Sequence, residues 1–472
     1  MQVIPSDIPE KNPLNFSKIR VRVALFLSSK DCVACMQVSK FWFQDFVRPV
    51  WHTIDFLRDF KFMTIESKVL KKYGQLIKRV RNIADFDHIM SLQHSNINCV
   101  TAVSFRLIGD WHYRELVADL VRRCKGQIMN MEIHCPASPV DTVVEQRLWD
   151  RHYFQMNTIL GCPLPAKPVT DIEYGLGLRS LDISRSCITR EGFSALLQYS
   201  PVLQKLKLFQ VVVLRYNASV DLFRNSSIIS LEAPLSEILM PDPVLPDSPS
   251  LLIHMPLLQE WTFTSVERPT AWTNDALRKE LSDHCLLLTT FRFDKMTSTT
   301  STDKISEFVL KCTQKLESCM FSAQSLGLAM AFACVSHLNT LTSLTITGTV
   351  TSLEISSTME WVYYLPKICS NLKVLSMQEL VMDIEEIEKQ PWTCLGSQEL
   401  SLRFKGLESK EEVERCVKQV CAFRRTGDAN LTRLKDRDDV VSRVTLHLLK
   451  FPELSRLFVE GKEYFLPLSS AL

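Results

Sequence analysis

Along most of the chain the apolar residues recur in one short frame, apolar-x-x-apolar-x-apolar. It is plainest at Leu178-Arg179-Ser180-Leu181-Asp182-Ile183 and at Leu203-Gln204-Lys205-Leu206-Lys207-Leu208. The same frame fits at Ile77, Val100, Ile128, Leu258, Leu288, Leu316, Leu341, Leu372 and Leu454, and more loosely at Ile228. From position 178 to position 372 the steps are 25, 25, 30, 30, 28, 25 and 31 residues. The end of each string alternates apolar, polar, apolar, which predicts a short strand that turns one face inward. A single strand of this kind cannot cover its own apolar face, so neighbouring repeats must stack.

A period of this length is the signature of leucine-rich repeats. It leaves room for a helix on the outer face, and residues 192–200 and 303–315 have helical apolar spacing. The expected fold is an α/β leucine-rich-repeat solenoid (horseshoe) over 76–472, with strands lining the inside. Two stretches interrupt it. Residues 136–170 carry Pro163, Pro165 and Pro168 in a 50-residue gap between strings, and 234–256 carry six prolines, as loops do. The run Thr297–Thr302 is also loop-like, Cys394–Leu402 gives only a degenerate string, and the phase between Leu407 and Leu449 stays open.

If Leu181 and Ile183 point inward, alternation turns Ser180, Asp182 and Ser184 outward. The same register exposes Lys205, Lys207 and Phe209, then Arg292, Met320 and Phe458. These six are the candidate partner-binding residues of the concave face, most surface positions there being polar and Phe209, Met320 and Phe458 apolar.

Residues 13–56 follow a different rhythm. Ile19, Val23 and Leu27 fall at helical spacing, Asp31 can cap a second helix, and Val33, Met36, Val38 and Phe41 can pack that helix on the first. Pro49 is read as closing a third helix, with Trp51 and Ile54 in a short extended exit. The order Leu14, Ile19, Phe26-Leu27, Asp31-Cys32, Val38-Ser39-Lys40-Phe41-Trp42 and Pro49-Val50-Trp51-His52-Thr53-Ile54-Asp55 resembles an F-box. With the repeats behind it, the chain is similar to F-box/leucine-rich-repeat proteins, of the type expanded in early-diverging filamentous fungi. It departs from the family's pattern at Phe16-Ser17, where F-boxes usually carry a Leu-Pro pair. The resemblance implies a three-helix head that binds a Skp-type adaptor through Leu14, Ile19, Val23, Leu27, Val38 and Trp42. Residues 57–75 are then a polar linker leading into a basic run, Lys68, Lys71, Lys72, Lys78, Arg79 and Arg81, whose simplest reading is a solvated face.

Composition narrows the picture. In 472 residues, 55 Lys and Arg balance 53 Asp and Glu, so net charge favours neither nucleic acid nor an acidic membrane as the main partner. The start MQVIPSDIPEKN is unlike a signal peptide, and the longest apolar run, near Gly327–Val335, is too short to span a bilayer. A soluble protein of the cytoplasm and/or nucleus is expected, so the sequons at Asn15, Asn217, Asn225 and Asn430 are read as chance. The 15 cysteines are read as reduced thiols. Cys124, Cys285, Cys312 and Cys369 sit three or four residues before a string, which argues for packing.

Catalytic patterns are absent from the sequence. Cys32-x-x-Cys35 has no second pair beside it, and with 13 glycines there is no phosphate-cradling loop. Asp436, Asp438 and Asp439 are interrupted by Arg437 and read as a solvated loop, and His52, His134 and His337 as satisfied polar positions. No cofactor or metal is expected, and the chain is not expected to be an enzyme. The resemblance implies the substrate-recognition subunit of a Skp-cullin-F-box ubiquitin ligase, reaching a cullin through the adaptor and holding an unknown protein substrate on the repeats. The alternative is a non-catalytic leucine-rich-repeat scaffold whose head binds no adaptor.

Overall fold

A computed structural model describes residues 16–57, 67–93, 97–106, 127–134, 177–184, 187–189, 200–209, 212–214, 227–233, 251–263, 283–293, 315–322, 334–348, 355–426 and 437–468. It also describes a few residues between these stretches, Leu14, Leu197 and Leu434 among them. The chain divides into two units, 1–203 and 204–472. Across the described residues it is α/β, with mostly parallel strands in a solenoid-like arrangement.

The first unit opens with α1 (Ser17–Ala24), α2 (Ser29–Met36) and α3 (Lys40–His52). It continues through β1 (Thr53–Asp55), α4 (Ser67–Tyr73), β2 (Arg79–Ile83), α5 (Phe86–Gln93), β3 (Ala102–Arg106), β4 (Asn130–His134) and β5 (Ser180–Ser184). A further strand, β6 (Cys187–Thr189), lies outside this ladder. Strands β1 to β5 pair in parallel, and their register aligns Ile54, Val80, Val103, Met131 and Leu181 in one row. All five are buried, each supplying on the order of 1.5–3 kcal/mol of apolar burial. The ladder therefore begins at Thr53, ahead of the first legible string at Ile77.

The second unit holds β7 (Lys205–Phe209), β8 (Val212–Leu214), β9 (Ser230–Ala233), β10 (Glu260–Phe263), β11 (Thr290–Phe293), β12 (Ser318–Ser322) and β13 (Ser343–Thr347). After these come α6 (Ile355–Ile368), β14 (Val374–Met382), α7 (Ile384–Lys389), β15 (Glu399–Phe404), α8 (Lys410–Thr426), α9 (Val440–Leu448), β16 (Arg456–Val459) and β17 (Lys462–Phe465). β8 stands apart from the main ladder. Strand β7 and strands β9 to β16 pair in parallel in chain order. β17 then turns back antiparallel on β16. Glu460 and Gly461 both have positive φ at that hairpin, the conformation of a two-residue type I′ turn.

One backbone device recurs along the ladder. The two N–H groups that open a strand both donate to a single carbonyl of the preceding repeat. Gln259 and Glu260 donate to Ile229, Thr289 and Thr290 to Gln259, Glu317 and Ser318 to Thr289, and Thr342 and Ser343 to Glu317. This pins the register, so the spacing of the strings in sequence becomes the spacing of rows in space. The first residue of each string is buried just ahead of its strand, and the next apolar position forms the row Leu206, Leu231, Trp261, Phe291, Cys319, Leu344, Leu375, Leu400 and Leu457. The degenerate string at Cys394–Leu402 is explained by Ser397. Serine takes the apolar position there and is buried because its hydroxyl donates to the Leu372 and Cys394 carbonyls at 2.9 and 2.8 Å.

Several expectations are corrected. Pro49 does not end the third helix, which runs on to His52 and includes Trp51, because Phe46, Val47 and Trp51 bury one face across the proline. Ser28, not Asp31, caps α2: its Oγ accepts the Asp31 N–H at 3.2 Å and donates to the Asp31 carboxylate at 2.6 Å. Val33, Val38 and Phe41 do not pack α2 on α1 but face solvent, while Met36 reaches the core formed by Ala24, Cys32 and Phe46. The span 57–75 contains α4, whose Leu70 is buried and whose Tyr73 ring stacks on Trp51 at 5.1 Å. Asp439 is no loop carboxylate: it caps α9, its Oδ1 accepting the Ser442 N–H at 3.2 Å and its Oδ2 the Ser442 hydroxyl at 2.7 Å. The open phase after Leu407 is filled by α8 and α9. Most of 192–200 and 303–315, the strings' middle section within 135–176, the proline-rich 234–250, Thr297–Thr302 and Cys312 lie outside the described residues.

Candidate functional site

The three-helix head is small, and one buried ion pair does much of the joining. Arg20, on α1, meets Asp45, on α3: Nε donates to Oδ2 at 2.6 Å, and Nη2 lies 2.6 Å from the same oxygen. Ser17 Oγ donates to the other carboxylate oxygen at 2.6 Å, and Arg20 Nη1 donates to the Leu14 carbonyl at 2.7 Å. The clamp fixes α1 against α3 and tethers the segment ahead of α1. Behind it Trp42 and Phe46 stack with centroids 5.3 Å apart. A core of three buried residues, Ala24, Cys32 and Phe46, one from each helix, cannot absorb every apolar side chain that the head carries, and the remainder faces water.

The six residues assigned to adaptor contact by resemblance divide into two groups. Leu14, Ile19 and Val38 are exposed and Val23 is half-buried, whereas Leu27 and Trp42 pack on the internal core. Beside the exposed ones the structure adds Phe16, Val21, Leu25, Phe26, Phe41 and Phe43. Phe26 is 88% exposed, Leu25 74% and Phe41 70%. Helical spacing marks Phe41 but neither Leu25 nor Phe26, which follow the last turn of α1, where the helical phase is lost.

In the second unit the register gathers what the sequence listed separately. Lys207 aligns with Glu232, Thr262, Arg292, Met320, Thr345, Ser376, Ser401 and Phe458 in a single row. Four of the six predicted partner-binding residues thus share one line across the strands. Lys205 opens the adjacent row with Ser230, Glu260, Thr290 and Ser318. Phe209 belongs to β7, but its side chain lies outside the described residues. Lys205 and Arg292 are exposed, and Lys207, Met320 and Phe458 are half-buried. Lys207 Nζ pairs with Glu232 at 2.7 Å. At the far end Arg456 bridges Glu399 at 2.8 Å and Glu463 at 3.0 Å and covers the Phe458 ring at 5.4 Å. Ser401 is the exception in the row, buried beneath Gln378, whose side-chain amide donates to it.

Most of the described cysteines are engaged in packing. Cys124, Cys285 and Cys369 are buried as their recurrent position requires, and Cys334 and Cys394 join them. Burial pushes the Cys369 thiol up to about 12 and those of Cys394 and Cys416 up to about 11, and it raises Cys319 and Cys334 as well. Such thiols are poor nucleophiles. His337 is buried, its Nδ1 accepting the Leu316 N–H at 3.4 Å and its Nε2 facing the Thr313 hydroxyl at 3.4 Å. His52 shares a 3.1 Å contact with the Thr53 hydroxyl, and His134 Nε2 lies 3.9 Å from Glu132. Among the described residues no group of three or more His, Cys, Asp or Glu side chains could hold a metal ion, and no helix is long and apolar enough to cross a membrane. No protein-family model matches the chain, and no curated protein matches it either.

Proposed function

We propose that the chain is the substrate-recognition subunit of a Skp-cullin-F-box ubiquitin ligase, with a leucine-rich-repeat solenoid as its receptor domain. The head would bind a Skp-type adaptor and through it a cullin, and the outward rows of the strand ladder would hold the protein substrate. The ligation chemistry would belong to other subunits. The observation that carries the reading is the company of two features: a folded three-helix head that leaves Leu14, Ile19, Val38 and their aromatic neighbours in solvent, and a ladder whose outward row is mostly polar, with Met320 and Phe458 set into it. Exposed apolar side chains in this density mark contact surfaces. The wording of the F-box-like segment adds the identity of the partner.

Purification of the full-length chain from cells, followed by mass spectrometry of the eluate, tests the proposal. An adaptor and a cullin in the eluate, lost together when Leu14 and Val38 are replaced by aspartate in a folded variant, are the expected result. A folded chain that brings down other proteins but neither of these would instead make it a leucine-rich-repeat scaffold.

A further inference from the structure

The basic run 68–81, whose simplest reading in the sequence is a solvated face, contributes Lys78 to a cleft of about 1000 Å3 that lies within the first unit. One wall is apolar, formed by Val21, Leu25 and Leu27 at the end of α1 and in the turn after it. The other is cationic through Arg48, from the last turns of α3, and Lys78, from the approach to β2, and His52 lines it as well. Asp45 is the one carboxylate in the lining, and its charge is taken up by Arg20 at 2.6 Å. Among the described residues neither Arg48 nor Lys78 makes an ion pair. From Ser67 to Ala84 the chain carries six Lys or Arg and no acidic residue, so the surroundings reinforce the sign. His52 reports the same field, since desolvation and then the charges of Arg79 and Lys78 lower its pKa.

We infer that this cleft binds an acidic amphipathic segment of a partner protein, its apolar side chains against Val21 and Leu25 and its carboxylates against Arg48 and Lys78. Charge complementarity selects the occupant: an uncompensated cationic wall beside an exposed apolar one matches a segment that carries carboxylates and aliphatic anchors on one side. The lining contains no Phe, Tyr or Trp on which bases could stack, which sets it apart from a single-stranded nucleic-acid groove. The cleft borders the adaptor surface: Leu27 is one of the six residues assigned there and Val21 and Leu25 lie beside them, whereas Arg48, His52 and Lys78 belong to the cleft alone.

Fluorescence anisotropy of the full-length chain with a labelled amphipathic peptide, leucines at helical spacing and glutamates between them, tests this. Saturable binding is expected, weakening with added salt and falling about tenfold or more in the double variant Arg48→Glu, Lys78→Glu. Leu25→Ser, at a side chain outside the core, gives an independent variant should the double substitution disturb folding, and it should weaken binding as well. The inference is overturned by absence of saturable binding, by equal binding of the same peptide with lysines in place of the glutamates, or by unchanged binding in either folded variant. Displacement of the peptide by a single-stranded oligonucleotide at lower concentration would overturn it in favour of nucleic acid.

Discussion

The three-helix head and the strand ladder of the second unit are both rich in apolar residues, yet they dispose of them in opposite ways. In the ladder, the strand position that begins each inward row is buried from Leu206 to Leu457, even where its occupant is tryptophan, phenylalanine or cysteine. In the head, Leu25, Phe26, Val38 and Phe41 lie largely in solvent while Ala24, Cys32 and Phe46 make the core. The difference is one of neighbours. A ladder strand is flanked by neighbouring strands, and its register is fixed by paired hydrogen bonds, so the inward face has a definite place to go. An eight-residue helix such as α1 or α2 can present only one narrow stripe to a single partner helix.

The largest expected effect concerns a buried group that can gain charge. His447, on α9, packs edge-on to Trp392 at 5.0 Å and to Phe451 at 5.3 Å, and burial drops its pKa to about 3 from an ordinary 6.5. Below pH 6.5 the unfolded chain takes up a proton that the folded chain refuses. The stabilisation is therefore complete above 6.5 and is lost as the pH falls towards 3, at up to about 1.4 kcal/mol per pH unit. Urea titrations at a series of pH values should show this slope in the wild type and a flatter one in His447→Phe. Equal slopes would remove His447 as the cause.

Next in size is the ladder core itself. Phe291→Ala deletes a fully buried ring that packs edge-on to Trp261 at 6.3 Å, and it should cost about 3–5 kcal/mol in chemical denaturation. An unshifted midpoint would contradict the register of β11. In the head, Asp45→Asn removes the charge that Arg20 is buried against and should cost about 1.5–3 kcal/mol, less than the ladder substitution because the amide oxygen can still accept a hydrogen bond from Arg20. If Asp45→Asn instead proves the costlier of the two, the head depends on its ion pair more than on its few packed side chains.

The rows were legible in the sequence because alternation and a repeated string translate directly into parallel pairing: the strings at Leu178, Leu203, Leu258, Leu288, Leu316, Leu341, Leu372 and Leu454 each precede a strand by two residues. What escaped notice was held by polar contacts with no apolar signal. Ser397 occupies a core position through two hydrogen bonds, Asp439 caps a helix, and Arg20 and Asp45 meet across 25 residues of sequence. β1 shows in the sequence only as a short extended exit at Ile54, since three residues are too few to give a period, and its place in the ladder follows only from pairing with β2. The candidate contact surface of the head was half legible. The resemblance named Leu14, Ile19 and Val38, which are exposed, but also Leu27 and Trp42, which pack on the core, and Phe26, in the turn after α1, was not among its contact residues.

The smallest effect on stability is expected where the effect on binding should be large. Phe26 follows α1 in a turn held by its N–H donating to the Val23 carbonyl at 3.0 Å, and Phe41 stands in the first turn of α3. Both rings are mostly in water, so Phe26→Ser with Phe41→Ser removes little buried area and should shift stability by no more than about 0.5 kcal/mol per site. Leu27→Ser differs by one position from Phe26→Ser but touches the core of Ala24, Cys32 and Phe46, so it should lower the thermal midpoint visibly. If the exposed apolar residues of the head are a docking surface, the Phe26, Phe41 pair should lose the Skp-type adaptor while melting as the parent does, measured by co-purification and by calorimetry on the same preparation. A pair that melts normally and still holds the adaptor would confine the contact to Leu14, Ile19 and Val38. A pair that melts early would mean that these rings cover core after all, and the contrast between head and ladder would narrow to one of degree.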